Sequence, residues 1–267
     1  MKKGLYIAII STITTICIIA GIFIHFVDPI LSGGEAIAET GTNIINKIVK
    51  TAKKADKLSK NNVEVSEDLA DFSEITINVD LIDCEIVKGD SFHYKYTGNE
   101  LIKPEYSVEN GILTVKQTTK AKLPNNTKKC DLIITIPDNK VLNKIDIQAD
   151  ICDIDLEDIK SEETKVDLNI GSFEVDDCTL GNFTCTGDTG DIKLDNSDFT
   201  NADISCDIGD VKITSSKDLS DYTFELSTDI GNIKINDNKN GTKYNVLGSS
   251  EYKLKISNDI GDIKLEY

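Results

Sequence analysis

After residue 62 apolar and polar residues alternate with period two, and from Asp150 the alternation returns on a fixed beat. Asn169-Ile170-Gly171-Ser172-Phe173-Glu174-Val175 is followed by Asp188-Thr189-Gly190-Asp191-Ile192-Lys193-Leu194 and by Asp207-Ile208-Gly209-Asp210-Val211-Lys212-Ile213. The interval from Gly171 to Gly190 equals that from Gly190 to Gly209. One more interval back lies Cys152, in the same phrase without its glycine. Looser copies carry Gly231 and Gly261. A fixed period of roughly 20 residues with strand-like alternation predicts a stacked solenoid. Ile154, Phe173, Ile192 and Val211 share one inward column, and Leu156, Val175, Leu194 and Ile213 share the column two residues on. Leu180 over Phe199, and Val166 with Cys185 and Ile204, add further inward positions, so the expected coil has about three short strands.

The predicted structural turns are Gly171, Gly190, Gly209, Gly231 and Gly261, where glycine takes a positive φ without steric cost. Between the inward columns an outward one reads Asp155, Glu174, Lys193, Lys212, Lys234, Lys264. From Val63 to Pro137 the strands continue without the strict beat and should form an irregular first portion that doubles as a cap. Asn110-Gly111 there reads as a tight hairpin turn. Residues 236–258 interrupt the repeat with a loop and an extra strand pair, and the last copy should close the domain at Tyr267. The expected fold is all-β: a single-stranded β-solenoid, a right-handed β-helix of about ten coils and about 50 Å. The repeat is clearest at 150–213.

The amino terminus is different material. Leu5 to Val27 is a mostly apolar run without a permanently charged side chain, the length that crosses a bilayer as helix. Lys2 and Lys3 precede it and Asp28, Glu35 and Glu39 follow, which places the amino terminus in the cytoplasm and the rest outside. A cleaved signal peptide, with Ala36-Ile37-Ala38 as its site, is the rival reading. Residues 35–60 carry Ile37, Ile44, Ile45, Ile48 and Val49 at helical spacing opposite six lysines. That segment reads as a helical stalk, either solvated or lying on lipid head groups or anionic wall polymer. The expected organisation is a transmembrane anchor at 1–28, a juxtamembrane helical stalk at 29–62 and the solenoid at 63–267, on the cell exterior.

Charge and candidate chemistry narrow the function. All 29 basic residues are lysine, against 46 acids, and residues 61–267 hold 21 lysines and 42 acids. Such a domain does not bind a nucleic-acid backbone. Six cysteines, Cys84, Cys130, Cys152, Cys178, Cys185 and Cys206, follow the apolar run without any Cys-x-x-Cys spacing, so they read as small core fillers rather than metal ligands. The stacked aspartates at the glycine corners read as turn formers; calcium is the competing interpretation. Solenoids also serve as glycan lyases and hydrolases, but one histidine and no arginine beyond residue 60 leave little for that chemistry. No catalytic residue, cofactor site or metal site is expected.

The order of motifs resembles the bacterial putative-adhesin family, a β-strand-repeat domain of unknown function. The resemblance rests on Val108-Glu109-Asn110-Gly111-Ile112-Leu113-Thr114-Val115, Ile133 to Pro137, Leu142-Asn143-Lys144-Ile145-Asp146-Ile147 and the serial Asp-Ile-Gly-Asp-Ile-Lys phrases, over residues 63–267. It implies a β-helix-like fold, often tethered to the membrane of Gram-positive bacteria and in some members encoded beside envelope-stress regulators, and it supplies no catalytic residues. The function expected is binding or sensing at the cell envelope, with the bilayer as partner through residues 5–27 and wall polymer or another envelope protein as ligand. The alternative is a β-helix enzyme acting on cell-wall glycans.

Overall fold

Two open sheets, of 11 and 10 strands, hold the residues described by the computed structural model, which are 61–119 and 129–267. The described residues fall in one compact unit. The expected anchor and stalk lie outside the described residues, except that the last two stalk positions, Asn61 and Asn62, are described and Asn62 opens the first strand. Among the described residues there is no α-helix, and none long and apolar enough to cross a membrane.

The chain begins with β1 (Asn62–Asp68), β2 (Glu74–Val79), β3 (Asp83–Gly89), β4 (His93–Asn99), β5 (Glu105–Glu109), β6 (Ile112–Lys116) and β7 (Asp131–Pro137). Asn110 and Gly111 both take positive φ, +53° and +77°, and close β5 against β6 as the expected hairpin. Strands β2 and β3 form the first full coil, with β6 and β7 as the parallel layer outside it. Antiparallel β1, β4 and β5 cover that end. The cap and the first coil are thus interleaved, because the β4–β5–β6 excursion is inserted between them in sequence.

The regular coils follow: β8 (Leu142–Ile151) with β9 (Ile154–Glu157), β10 (Lys160–Ile170) with β11 (Phe173–Asp176), β12 (Thr179–Thr189) with β13 (Ile192–Asp195), and β14 (Asp198–Ile208) with β15 (Val211–Thr214). Each pairs in parallel register with the next. A coil therefore has two strands, one long and one short, rather than three. Inward positions in β10 fall at Ser161 and then at Thr164, Val166 and Leu168, a slip of parity that reads in sequence as a strand break. The strand runs through that slip with its neighbours in step, since Glu162, Gly181 and Thr200 occupy the same place in successive coils.

Two columns fill the space beneath the short strands. Cys84, Ile154, Phe173, Ile192, Val211, Ile263 and Ile233 are successive neighbours, as are Ile86, Leu156, Val175, Leu194, Ile213, Leu265 and Ile235; all are buried. Burying each aliphatic side chain contributes about 1.5–3 kcal/mol. Large and small residues alternate where columns meet: Phe183 lies between Thr164 and Ala202, and its ring packs 5.9 Å from that of Phe173.

The carboxyl end departs from sequential stacking. β16 (Thr223–Ile230) and β17 (Ile233–Ile235) form the outermost coil, trimmed by the short antiparallel β18 (Asn238–Lys239) and β19 (Lys243–Val246). The chain then returns to lay β20 (Lys253–Ile260) and β21 (Ile263–Glu266) between that coil and β14–β15. The last repeat is inserted, not terminal. Eight two-strand layers result, fewer than the ten coils expected; the extra width of each sheet is antiparallel trim.

Candidate functional surface at the glycine corner

The turn from long to short strand builds the most regular surface of the molecule. Gly171, Gly190, Gly209, Gly261 and Gly231, in that spatial order, form a single row with φ from +140° to +159°. A Cβ on Gly190 would stand 1.8 Å from the carbonyl oxygen of Gly171, and the same clash recurs along the row. Glycine is needed here for close approach between coils as much as for the turn.

Asp153, which follows Cys152, and the aspartates that follow Gly190, Gly209 and Gly261 have a structural task. Asp153 Oδ1 accepts the backbone N–H of Ser172 at 2.9 Å, Asp191 that of Asp210 at 2.8 Å, Asp210 that of Asp262 at 2.8 Å and Asp262 that of Asn232 at 2.9 Å. Hydrogen bonds from Ser172 hold the Asp153 carboxyl below its ordinary value. These carboxylates stitch one coil to the next, and no cluster of metal-ligating side chains occurs among the described residues.

A second corner, which sequence reasoning missed, lies between short and long strands. Asp158, Asp177 and Asn196 recur at the same interval as the glycines and take φ of +57°, +53° and +47°. Asparagine and aspartate tolerate this conformation better than other side chains. Asn196 Nδ2 donates to Asp177 Oδ1. The next position bonds as well: Cys178 Sγ accepts from Ile159 N at 3.3 Å, and Ser197 Oγ from Cys178 N at 3.0 Å. Cys178 is therefore a corner acceptor as well as a filler.

No disulfide forms among the described residues, and all six cysteines are buried. Burial pushes Cys152 and Cys206 up to about 11 and Cys178 up to about 12, and it raises Cys84 and Cys185 as well. At pH 8 these groups are thiols, not thiolates. Native protein should show no reaction of the six with a thiol-exchange chromophore, and all six should react once guanidinium unfolds it. Rapid reaction of any one in the native state would place it outside the core.

On the outer face of the 11-stranded sheet the outward column reads Glu85, Asp155, Glu174, Lys193, Lys212, Lys264, Lys234 in space. Partial burial raises Asp155, helped by Glu174 and Glu85. The four lysines border a groove of about 330 Å³. Three of them are paired: Lys193 with Asp195 at 3.5 Å, Lys264 with Glu266 at 2.6 Å and Lys234 with Asp262 at 3.9 Å. The row is charge-balanced rather than a concentrated anion site.

Ser66, His93 and Asp68 form a hydrogen-bonded series that the sequence gives no signal for. Ser66 Oγ lies 2.9 Å from His93 Nε2, and Asp68 Oδ1 lies 2.9 Å from His93 Nδ1. The order is that of a hydrolase relay. Catalysis also requires donors arranged for an oxyanion and exclusion of water. Ser66 and Asp68 are exposed on edge strand β1, and the contact serves to pin β1 to β4.

Two facing sheets wound as parallel coils define a β-helix-like solenoid. No curated protein matches the chain. The Toastrack DUF4097 family model matches residues 72–218, more than half of the chain, and the chain belongs to that family. Among solved structures, a putative cell adhesion protein from Clostridium sporogenes is 14% identical with a TM-score of 0.51, covering 77% of this chain and 99% of that one. A putative adhesin from Bacteroides fragilis is 14% identical with a TM-score of 0.45, covering 79% and 99%. A putative lipid binding protein from Parabacteroides distasonis is 15% identical with a TM-score of 0.29, covering 77% and 97%. The Clostridium likeness is one of fold.

Proposed function

We propose that the chain is a non-catalytic, adhesin-like binding protein of the cell envelope. In this reading residues 5–27 tether it to the bilayer with the amino terminus in the cytoplasm, and the solenoid faces outward to engage wall polymer or another envelope protein. The observation that carries the reading is the repetition itself. Successive coils present the same side chains at the same place, which suits an extended partner, whereas a catalytic centre gathers unlike groups at one point. The cell-adhesion name of the Clostridium neighbour supports the same class of role.

Labelling on intact cells tests the placement. Ser216 is exposed, and the six cysteines beyond residue 60 are buried, so Ser216→Cys adds a single accessible thiol to that part of the chain. The variant should react with a membrane-impermeant maleimide on intact cells, and the parent protein should not. It should also remain in the membrane fraction at full mass after a high-salt wash, as an apolar helix of this length requires. Reaction only after lysis would refute the outward placement, and recovery of a shorter species in the medium would refute the anchor.

A further inference from the structure

The repeated phrase contains two residues that the fold leaves without a task. In Asp-Ile-Gly-Asp-Ile-Lys the glycine permits close approach, the second aspartate binds the neighbouring coil and the second apolar residue fills the core. The first isoleucine does none of these. Ile151, Ile170, Thr189, Ile208, Ile260 and Ile230 are neighbours on six consecutive strands. The five isoleucines remain 45–66% exposed. Thr189 shows that the strand accepts a β-branched polar residue at this position, so an exposed isoleucine in the other coils exceeds what the backbone asks. At the usual strand spacing the stripe is about 24 Å long.

Asp150 accepts from Asn169 Nδ2 at 3.1 Å, but the aspartate before each of the other four positions is equally unused. Asp188, Asp207, Asp259 and Asp229 are exposed and have no hydrogen-bond or ion-pair partner among the described residues. Like charges stacked on adjacent strands repel. On the other side of the stripe run Asp191, Asp210 and Asp262. The stripe is thus one side chain wide, and at Thr189, Ile208 and Ile260 it is bordered by carboxylates on both flanks.

We propose that this stripe is a docking surface for a polypeptide helix whose apolar face is bordered by lysine or arginine. Charge decides the occupant. A second copy would set acid rows against acid rows, and a flat bilayer could not cover so narrow a stripe without desolvating its flanks. A cationic amphipathic helix satisfies both: its apolar ridge covers the isoleucines while its basic flanks meet the unpartnered aspartates. A helix of about 16 residues spans the length of the stripe. The proposal deepens the binding reading above and does not depend on which side of the membrane the solenoid faces.

The test uses the full chain in nanodiscs of neutral lipid, with empty nanodiscs as reference. The probe is a leucine–lysine peptide of about four helical turns with leucines on one face, one of them replaced by photo-leucine. Cross-links should concentrate on the segments carrying Ile170, Ile208 and Ile260. The same composition in scrambled order should label at least tenfold less. The triple substitution Ile170→Thr, Ile208→Thr, Ile260→Thr, patterned on Thr189, should cut labelling at least tenfold. Asp188→Asn with Asp207→Asn, Asp229→Asn and Asp259→Asn should weaken it by a similar factor and abolish its salt dependence, which keeps the test decisive if the triple variant folds poorly. Equal labelling by the scrambled peptide, or cross-links spread over the acidic surface, would overturn the proposal. Labelling of the Ser216→Cys variant only after lysis would sink the outward placement while leaving this result standing.

Discussion

Gly190→Ala should lower the melting temperature of the solenoid by roughly 6–12 °C, taking a loss of about 3 kcal/mol in a domain of this size. The added Cβ would stand 1.8 Å from the Gly171 carbonyl oxygen and 2.6 Å from its carbon, both rigid backbone atoms. Relief requires coils to part at the corner where Gly171 N donates to Thr189 O and Gly190 N to Ile208 O, at 2.9 and 2.8 Å. A φ of +140° adds strain for any side chain. Two other glycines separate the causes. Gly187 is buried on the same strand, but a Cβ there meets only the Ile192 side chain, its Cδ1 atom at 3.5 Å, so Gly187→Ala should change stability by less than about 0.5 kcal/mol. Gly241 has φ of +74° and nothing within 4 Å, so Gly241→Ala should cost only the backbone strain, about 1–2 kcal/mol. Thermal melts followed by circular dichroism measure all three. A Gly190→Ala melt no lower than that of Gly241→Ala would mean that contact between coils does not set the corner.

The inward columns were legible in sequence because period-two alternation and a constant coil length constrain the same residues. Ile154, Phe173, Ile192 and Val211 could not all turn inward unless the coils stacked in step, and they do. The two-strand coil was harder to see. At Ser161-Glu162-Glu163 the alternation slips, and in one dimension a slip looks like the end of a strand. In the stacked molecule each coil slips at the same place, so the ladder resumes one residue later on both neighbours.

Insertion of β20–β21 before the outermost coil was not legible. The interval between glycines lengthens from Gly209 to Gly231 and again from Gly231 to Gly261, which reports extra chain but not which edge it returns to. Edge pairing decides that, since β16 is trimmed on its far side by antiparallel β19 and leaves β14 open to β20. The exposed stripe was hidden for a different reason. Ile170 and Ile208 look like core residues on any hydrophobicity count, and only the strand end, where two consecutive positions face solvent, shows them to be surface. The Asp158, Asp177, Asn196 corner, by contrast, was within reach: the same residue class returning at the coil interval is a turn signal.

Ile192→Asp should abolish cooperative unfolding at neutral pH. Ile192 is buried between Phe173 and Val211 in the central column, and no basic side chain lies in that column. The substitution forfeits about 1.5–3 kcal/mol of apolar burial. It also places a carboxyl where nothing can pair it, a further cost of several kcal/mol, so the total approaches the roughly 5–15 kcal/mol that keeps a typical domain folded. Its outward neighbour provides the contrast. Lys193 loses a 3.8 Å contact with Glu174 and a 3.5 Å contact with Asp195 on replacement by alanine, yet it also stops repelling Lys212, and exposed pairs of this kind contribute little. Lys193→Ala should shift stability by less than about 0.5 kcal/mol. The buried acid carries a signature in pH as well. Burial raises its folded value above its unfolded one, so its charge penalty is absent below the unfolded value and grows as pH rises through the ordinary carboxylate range. Lowering pH from 7 toward 4 should therefore narrow the gap between Ile192→Asp and Ile192→Asn, which loses the same apolar burial without a charge. The folded fraction of the three variants, followed by circular dichroism across that range, measures it, and a pH-independent gap, or a Lys193→Ala protein as unstable as Ile192→Asp, would show the register of the short strands to be wrong.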